Sequence, residues 1–287
     1  MILIADSGST KTDWRLLSEE GIVSQAKTIG FNPFYQDTDT IYAELVNKLV
    51  PQVPEKVTQV YFYGAGCAGE EKCAIVREAL HRAFPEAIAE VYSDLVGAAR
   101  ALCGHEPGIA CILGTGSNSC LFDGEKIVAH RAPLGFWLGD EGSGGHLGKT
   151  LIQQYLLGEL PADLVARFDK RYQLGRNGDA RLEVLDHAYS QPSPNRYFSS
   201  FSKFLFDNRS HPFAYRIIYR SFTEFFEKYL VKYENYRQYR THFVGSVAFY
   251  YSDILRQVAN DQGFTVRNIL ETPIAGLTLY HQRGLEI

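Results

Sequence analysis

The chain has 287 residues, 45% of them hydrophobic, so it can bury one large core or two medium ones, and a disordered or fibrous polypeptide is excluded. A formal net charge of −4, with no basic run or basic–aromatic stripe, argues against a nucleic-acid partner. No stretch reaches the roughly 20 apolar residues of a membrane span. Asp6 interrupts an N-terminal apolar run that lacks the basic start of a signal peptide, so the expectation is a soluble cytoplasmic protein with no membrane partner.

Taken in order, residues 2–6, 12–17 and 22–29 read as a three-strand meander whose first turn is Ser7 to Lys11. Ile41, Leu45, Val46 and Leu49 recur at helical spacing and predict a helix over 38–50. A strand over 57–63 ends in Gly64-Ala65-Gly66 and is followed by a helix over 70–83. A short strand covers 88–92, and Asp94 opens a helix running to Cys103. The pattern then restarts, with strands near 109–113, 118–122 and 126–131, a Gly-rich loop from Leu134 to Gly145, and a helix from His146 to Leu157. Residues 160–236 read as mostly helical, with a break at Gln191 to Asn195. A strand at 240–245, a helix from Ser246, a strand over 264–270 and a helix from Pro273 complete the chain. Each half is a meander followed by alternating helices and strands, which is an α/β fold with mixed sheets. The boundary falls near Leu102 to Pro107, giving expected domains over 1–103 and 104–287, and the last helix can cross back to the first domain.

The halves also repeat in detail. Setting Asp6 on Gly114 puts Ser7-Gly8-Ser9 on Thr115-Gly116-Ser117, each a turn rich in glycine and hydroxyls between two strands. Two such turns facing each other across a cleft offer backbone N–H groups to a polyphosphate. Gly8, Ser9 and Thr10, with Gly114, Thr115, Gly116 and Ser117, are therefore candidate phosphate contacts. Lys11 either adds a point charge there or is a solvated turn lysine. Asp6 either holds Mg²⁺ beside phosphates or satisfies turn N–H groups.

Asp94 sits at a strand-to-helix junction, where an Asp is a favoured N-cap. The same place, the carboxyl end of a strand, suits a general base that takes a proton from an attacking hydroxyl. In Gly135-Phe136-Trp137-Leu138-Gly139-Asp140-Glu141-Gly142-Ser143, the adjacent acids Asp140 and Glu141 can grip sugar hydroxyls or can simply start the next helix. Trp137 can offer an apolar face to a pyranose ring. Asn32 and Gly66 are substrate contacts or ordinary turn residues. Gly245-Ser246-Val247-Ala248 has the small residues that adenine packing, or helix packing, requires. Cys67, Cys73, Cys103, Cys111 and Cys120 form no C-x-x-C pair, so buried reduced thiols are expected rather than disulfides or a zinc site.

Over almost its whole length, and in the same order, the chain resembles the superfamily of sugar kinases, heat-shock ATPases and actin. Within it, the chain is similar to the BadF/BadG-type ATPase family and its N-acetylglucosamine kinase-like members. The resemblance is carried by Asp6-Ser7-Gly8-Ser9-Thr10, by Gly114 to Ser117, by Ser93-Asp94 before an Ala-rich helix, by Gly139-Asp140-Glu141-Gly142-Ser143 and by Gly245 to Ala248. The spacing around Trp137 departs from the family loop. The resemblance implies an actin-like ATPase fold: two ribonuclease-H-like lobes with mixed sheets flanked by helices and a cleft between them. It implies ATP and Mg²⁺, with the metal at Asp6, phosphates at the two turns including Lys11, and adenosine at Gly245, Ser246 and Ala248. It also implies a catalytic base at Asp94 and sugar contacts from Asn32, Gly66, Asp94, Trp137, Asp140 and Glu141. The expected activity is ATP-dependent phosphorylation of an amino sugar, N-acetylglucosamine at its 6-hydroxyl, by a protein whose family is commonly homodimeric. One alternative is an ATPase that activates a partner redox enzyme through an iron–sulfur cluster, for which Cys103 and Cys120 lie in the relevant half. Another is a non-catalytic sugar or nucleotide sensor.

Overall fold

The computed structural model describes residues 1–8, 10–176 and 178–283. The first three strands, β1 (Ile2–Ser7), β2 (Lys11–Leu17) and β3 (Val23–Ile29), pair antiparallel as the expected meander. Two more strands, β4 (Gln59–Gly64) and β5 (Ile88–Ser93), extend the sheet on the other side of β1 and run parallel to it, giving the order β3-β2-β1-β4-β5. Parallel neighbours need crossovers rather than hairpins, and the helices Thr38–Glu44 and Glu70–Ala83 supply them. The register sets Ser7, Gly64 and Ser93 side by side, so the three parallel strands end at one edge.

The second sheet is built from β6 (Gly108–Leu113), β7 (Ser117–Phe122), β8 (Ile127–His130), β9 (Arg240–Val244) and β10 (Thr265–Leu270), in the order β10-β9-β6-β7-β8. Here β9 is parallel to β6 and β10 to β9. Read from the other end, this is the first sheet again: a leading strand with a meander on one side and parallel strands on the other. The repeated turn sequences therefore sit on a repeated topology.

The chain divides into two compact units. One comprises Met1–Glu106, Phe122–Ile127 and the segment from Thr272 on; the other comprises Pro107–Leu121 and Val128–Glu271. In the first, Leu3, Trp14 and Phe62 are fully buried, and the Trp14 indole N–H donates to Thr28 Oγ1 at 3.0 Å, so its polar end is satisfied. The helix Ile274–Arg283 belongs to this unit; it packs on the helix Asp94–Cys103 and on β1, burying Ile274 and Leu277 against Ile4 and Tyr63. In the second unit, Phe168, Phe201, Phe204, Phe222, Phe225 and Phe226 form an aromatic core from helices that come after β8. Each such side chain contributes on the order of 1.5–3 kcal/mol by burial.

Two elements differ from the sequence expectation. The helix expected over 38–50 is α-helical only through Glu44, widens into a π-type turn over Leu45–Leu49 and tightens over Val50–Gln52, where Pro51 lacks the N–H of a regular helix. The Gly-rich loop contains one helical turn, Gly135–Leu138, and the next helix begins at Gly144 because the Ser143 hydroxyl accepts the His146 N–H at 3.1 Å. All five cysteines are buried and none is in a disulfide. Among the described residues, no helix is long and apolar enough to cross a membrane.

Candidate active site

In the first unit, the turns after the parallel strands gather at the carboxyl edge of the sheet, where open α/β sheets place ligands. Asp6 lies one residue from the end of β1 and opposite Asp13 on β2. Burial, with the carboxylates of Asp13 and Asp94 nearby and Lys11 only partly compensating, pushes the Asp6 carboxyl up to about 7. The Lys11 ammonium rests on Asp13 at 2.7 Å, with Lys27 at 3.9 Å on the other oxygen, so in this state Lys11 serves a carboxylate. Gly8 and Thr10 are exposed in the turn, which the Gly8 N–H closes by donating to the Lys11 carbonyl at 3.0 Å. Ser9 lies outside the described residues.

Ser93 caps the helix Asp94–Cys103, its hydroxyl accepting the Val96 N–H at 3.3 Å. Asp94 is therefore the first helical residue rather than the cap. Burial raises the Asp94 carboxyl, opposed by the hydrogen bond it accepts from the Leu95 N–H. Asn32 and Gly66 meet. Gly66 has φ +82°, and a Cβ there would lie 2.5 Å from Asn32 Oδ1, so this turn needs glycine twice over. The same oxygen accepts the Phe34 N–H at 3.0 Å. The Ala65 N–H donates to the Ser7 carbonyl at 2.9 Å, tying the turn to the end of β1. Next in sequence, the Cys67 thiol is pushed up to about 12 by burial, with Cys73 and the Asp94 charge adding to it. Asp6, Asn32, Gly66 and Asp94 thus share one edge of one sheet.

In the second unit, the turn between β6 and β7 is closed by the Gly114 N–H donating to Gly116 O at 3.0 Å. The start of the helix Gly144–Leu156 anchors it, with Gly144 N–H on Gly114 O at 2.8 Å and Gly145 N–H on Thr115 O at 3.0 Å. Thr115 is exposed and Ser117 buried. The adjacent acids have different surroundings. Asp140 is buried, has φ +60°, and accepts the Ser117 N–H; a Cβ on Gly116 would lie 3.0 Å from its Oδ2. Burial raises its carboxyl. Glu141 is paired with Lys228 Nζ at 2.6 Å and accepts the Tyr229 hydroxyl at 2.8 Å. Burial opposes its ionisation, but these partners prevail and lower it. Asp140 therefore stands at the turn, while Glu141 is held to the helix Pro212–Lys228 and the residue after it. Trp137 is half exposed and stacks on Tyr189 with ring centroids 5.8 Å apart.

Gly245 donates its N–H to Leu270 O at 3.0 Å, and a Cβ on it would sit 3.3 Å from Gly114 N, so this segment abuts the Gly114 turn. Ser246 is exposed and, with Val247, Tyr250, Tyr251, Lys203 and Phe206, lines a largely apolar pocket of about 430 Å³. Ala248 is fully buried in the core of the unit. Lys203, Phe206 and Tyr250 were not legible as site residues. The helix that carries the first two, Ser202–Asp207, is remote from Gly245 in sequence, and Tyr250 reads as one of many helix aromatics.

No family model matches the chain, BadF/BadG included. Among solved structures, a candidate N-acetylglucosamine kinase from Porphyromonas gingivalis is 42% identical, with 99% of this chain and 100% of that one aligned at a TM-score of 0.90. A second candidate N-acetylglucosamine kinase, from Chromobacterium violaceum, is 18% identical over 97% of this chain and 98% of that one, at a TM-score of 0.69. A ROK family glucokinase from Streptomyces griseus, solved with glucose and AMPPNP, is 14% identical over 98% of each chain at a TM-score of 0.59. The last two share the fold, two five-stranded mixed sheets flanked by helices as in actin-like ATPases. On identity and full-length coverage, the chain belongs to the same family as the Porphyromonas gingivalis protein.

Proposed function

We propose that this protein is an ATP-dependent sugar kinase acting on N-acetylglucosamine at its 6-hydroxyl. The observation that carries the reading is Asp94. Ser93 rather than Asp94 caps the helix, and the half-buried Asp94 carboxylate lies at the carboxyl edge of β5, near Asp6. A raised carboxyl brings a general base closer to the operating pH. In this reading Asp94 accepts the proton of the sugar hydroxyl while the hydroxyl oxygen bonds to the γ-phosphorus and the bond to the ADP oxygen breaks. Asn32 and the Gly66 turn orient the sugar. The amides of the Gly8 and Gly114 turns take phosphate oxygens, with Thr10, Thr115 and Ser117 adding hydroxyls. Asp140 orients hydroxyls, and Trp137 offers a ring face. The pocket beside Ser246 suits an adenine ring, which needs an apolar slot with few polar atoms.

A magnesium ion fits Asp6. Its carboxylate is half-buried and crowded by like charge, a setting that a hard cation relieves, and Mg²⁺ uses one or two carboxylates with water and phosphate oxygens rather than a full protein cage. When bound, the ion would neutralise charge on the phosphates. The 42% identity to a candidate N-acetylglucosamine kinase supports the substrate assignment.

The test is ADP release with Mg²⁺–ATP across hexoses and hexosamines, with the product identified by mass. Transfer to N-acetylglucosamine is expected. Silence across the panel overturns the reading. Asp94→Asn should lower kcat by about 10²-fold or more, and near-normal turnover removes Asp94 from the base role.

A further inference from the structure

The helices Gly144–Leu156 and Pro212–Lys228 turn apolar faces into the core of the second unit, where Leu147, Leu151, Ile218 and Phe222 are buried. Their outer edges face each other with a different chemistry. His146, Gln153 and Gln154 recur at i, i+7 and i+8 on one helix, and Arg216, Arg220 and Glu224 at i, i+4 and i+8 on the other. Two polar stripes therefore flank a pocket of about 280 Å³, lying wholly within this unit.

Much of the hydrogen-bonding capacity in this pocket is unspent. The Arg216 guanidinium lies against the Phe213 ring at 5.2 Å and makes no ion pair among the described residues. The carboxamides of Gln153 and Gln154 likewise have no partner among the described residues. Arg220 uses Nε on Glu224 Oε1 at 3.0 Å, leaving its terminal nitrogens for a ligand. Glu224 is further neutralised by Lys228 at 3.2 Å, so the lining is positive on balance. His146 spends Nδ1 on the Ser221 hydroxyl at 2.8 Å, while its Nε2 is 3.9 Å from Glu224, beyond hydrogen-bond reach.

We infer that this pocket binds a small polyhydroxylated phosphomonoester. Two guanidinium groups one helical turn apart match a phosphate, whose oxygens accept paired N–H donors. Carboxamides both donate and accept, as sugar hydroxyls require, and the imidazole Nε2 adds one more polar contact. The pocket is linked to the Gly139–Ser143 segment by two short chains. One runs Glu224–Lys228–Glu141; the other runs from His146 through the Ser221 hydroxyl to the Gly142 N–H, which donates to it at 3.1 Å. An occupant that draws Arg220 off Glu224 is thus felt at Glu141 and Gly142. Control of sugar phosphorylation by such an occupant rests on the proposed function; the binding itself does not.

The experiment is isothermal titration calorimetry with glucose 6-phosphate and with inorganic phosphate, on wild type, Arg216→Gln/Arg220→Gln and Asp94→Asn. Both arginines are exposed, so the double variant keeps the fold, which circular dichroism checks. Glucose 6-phosphate is expected to bind wild type and Asp94→Asn equally, and the double variant about tenfold or more weakly. Inorganic phosphate should bind the same site more weakly than the ester. Unchanged affinity in the double variant overturns the inference, as does loss of binding in Asp94→Asn or absence of heat at millimolar ester. Failure of the kinase reading would show separately, as wild-type protein that transfers no phosphate to any sugar yet still binds the ester.

Discussion

Asp6 is the residue whose chemistry depends most on its surroundings. Its carboxyl titrates near 7 in the folded chain against an ordinary value of 3.8, so between those values the native state holds a proton that the unfolded chain has lost. Stability from this group is present at low pH, falls as pH rises through the window, and stays lower above it. Asp6→Asn should therefore stabilise the ligand-free chain at pH 8 by on the order of 1–3 kcal/mol, with the difference gone by pH 4. Thermal melts at the two pH values check this, and equal melting of both proteins at pH 8 would falsify it. The raised Asp94 carboxyl makes a companion prediction: the acid limb of the kcat profile should lie above the usual carboxylate range and vanish in Asp94→Asn. At this scale the candidates Asp6, Asn32, Gly66 and Asp94 were legible because strand ends and turns are written locally. The partner of Glu141 was not: Lys228 is 87 residues away on a helix face that reads as solvated charge.

At the scale of elements, glycine decides how closely helices approach. A Cβ on Gly148 would run into the carbonyl of Phe198, where the helices Gly144–Leu156 and Pro194–Ser200 cross. Alanine ordinarily favours a helix by roughly 1 kcal/mol over glycine. Here the obstacle is backbone, which cannot rotate away, and overpacking costs about 1–3 kcal/mol or more. The clash wins, so Gly148→Ala should lower the urea midpoint with an unchanged m value. An unchanged or raised midpoint would show that the crossing can yield. The mixed sheets were legible in the repeated meander-then-crossover pattern, since parallel additions require helices between them, but the order that sets β4 beside β1 and β9 beside β6 was not. The pocket beside Ser246 was not legible, because the helix Ser202–Asp207 reaches it through tertiary packing that no local pattern encodes.

At the scale of the whole molecule, the two tryptophans divide between the two units: Trp14 is fully buried in the first, and Trp137 is half exposed in the second. Under the proposed function, N-acetylglucosamine should change the emission of Trp137. Trp137→Phe should abolish that change while keeping the blue emission of the enclosed Trp14. A sugar-dependent signal that survives the substitution would remove Trp137 from the sugar site. The covalent order of the units has a further consequence, for synthesis. The first unit is interrupted by the second and recovers its last helix, Ile274–Arg283, only after residue 271 has been made. At translation rates of about 5–20 residues per second, residues 107–271 take roughly 10–30 s, during which Ile4 and Tyr63 keep the cover of Val96 and Ala101 but lack that of Ile274 and Leu277. Until the last helix is added, the side of Ile4 and Tyr63 that Ile274 and Leu277 cover would stay open to solvent or to a chaperone.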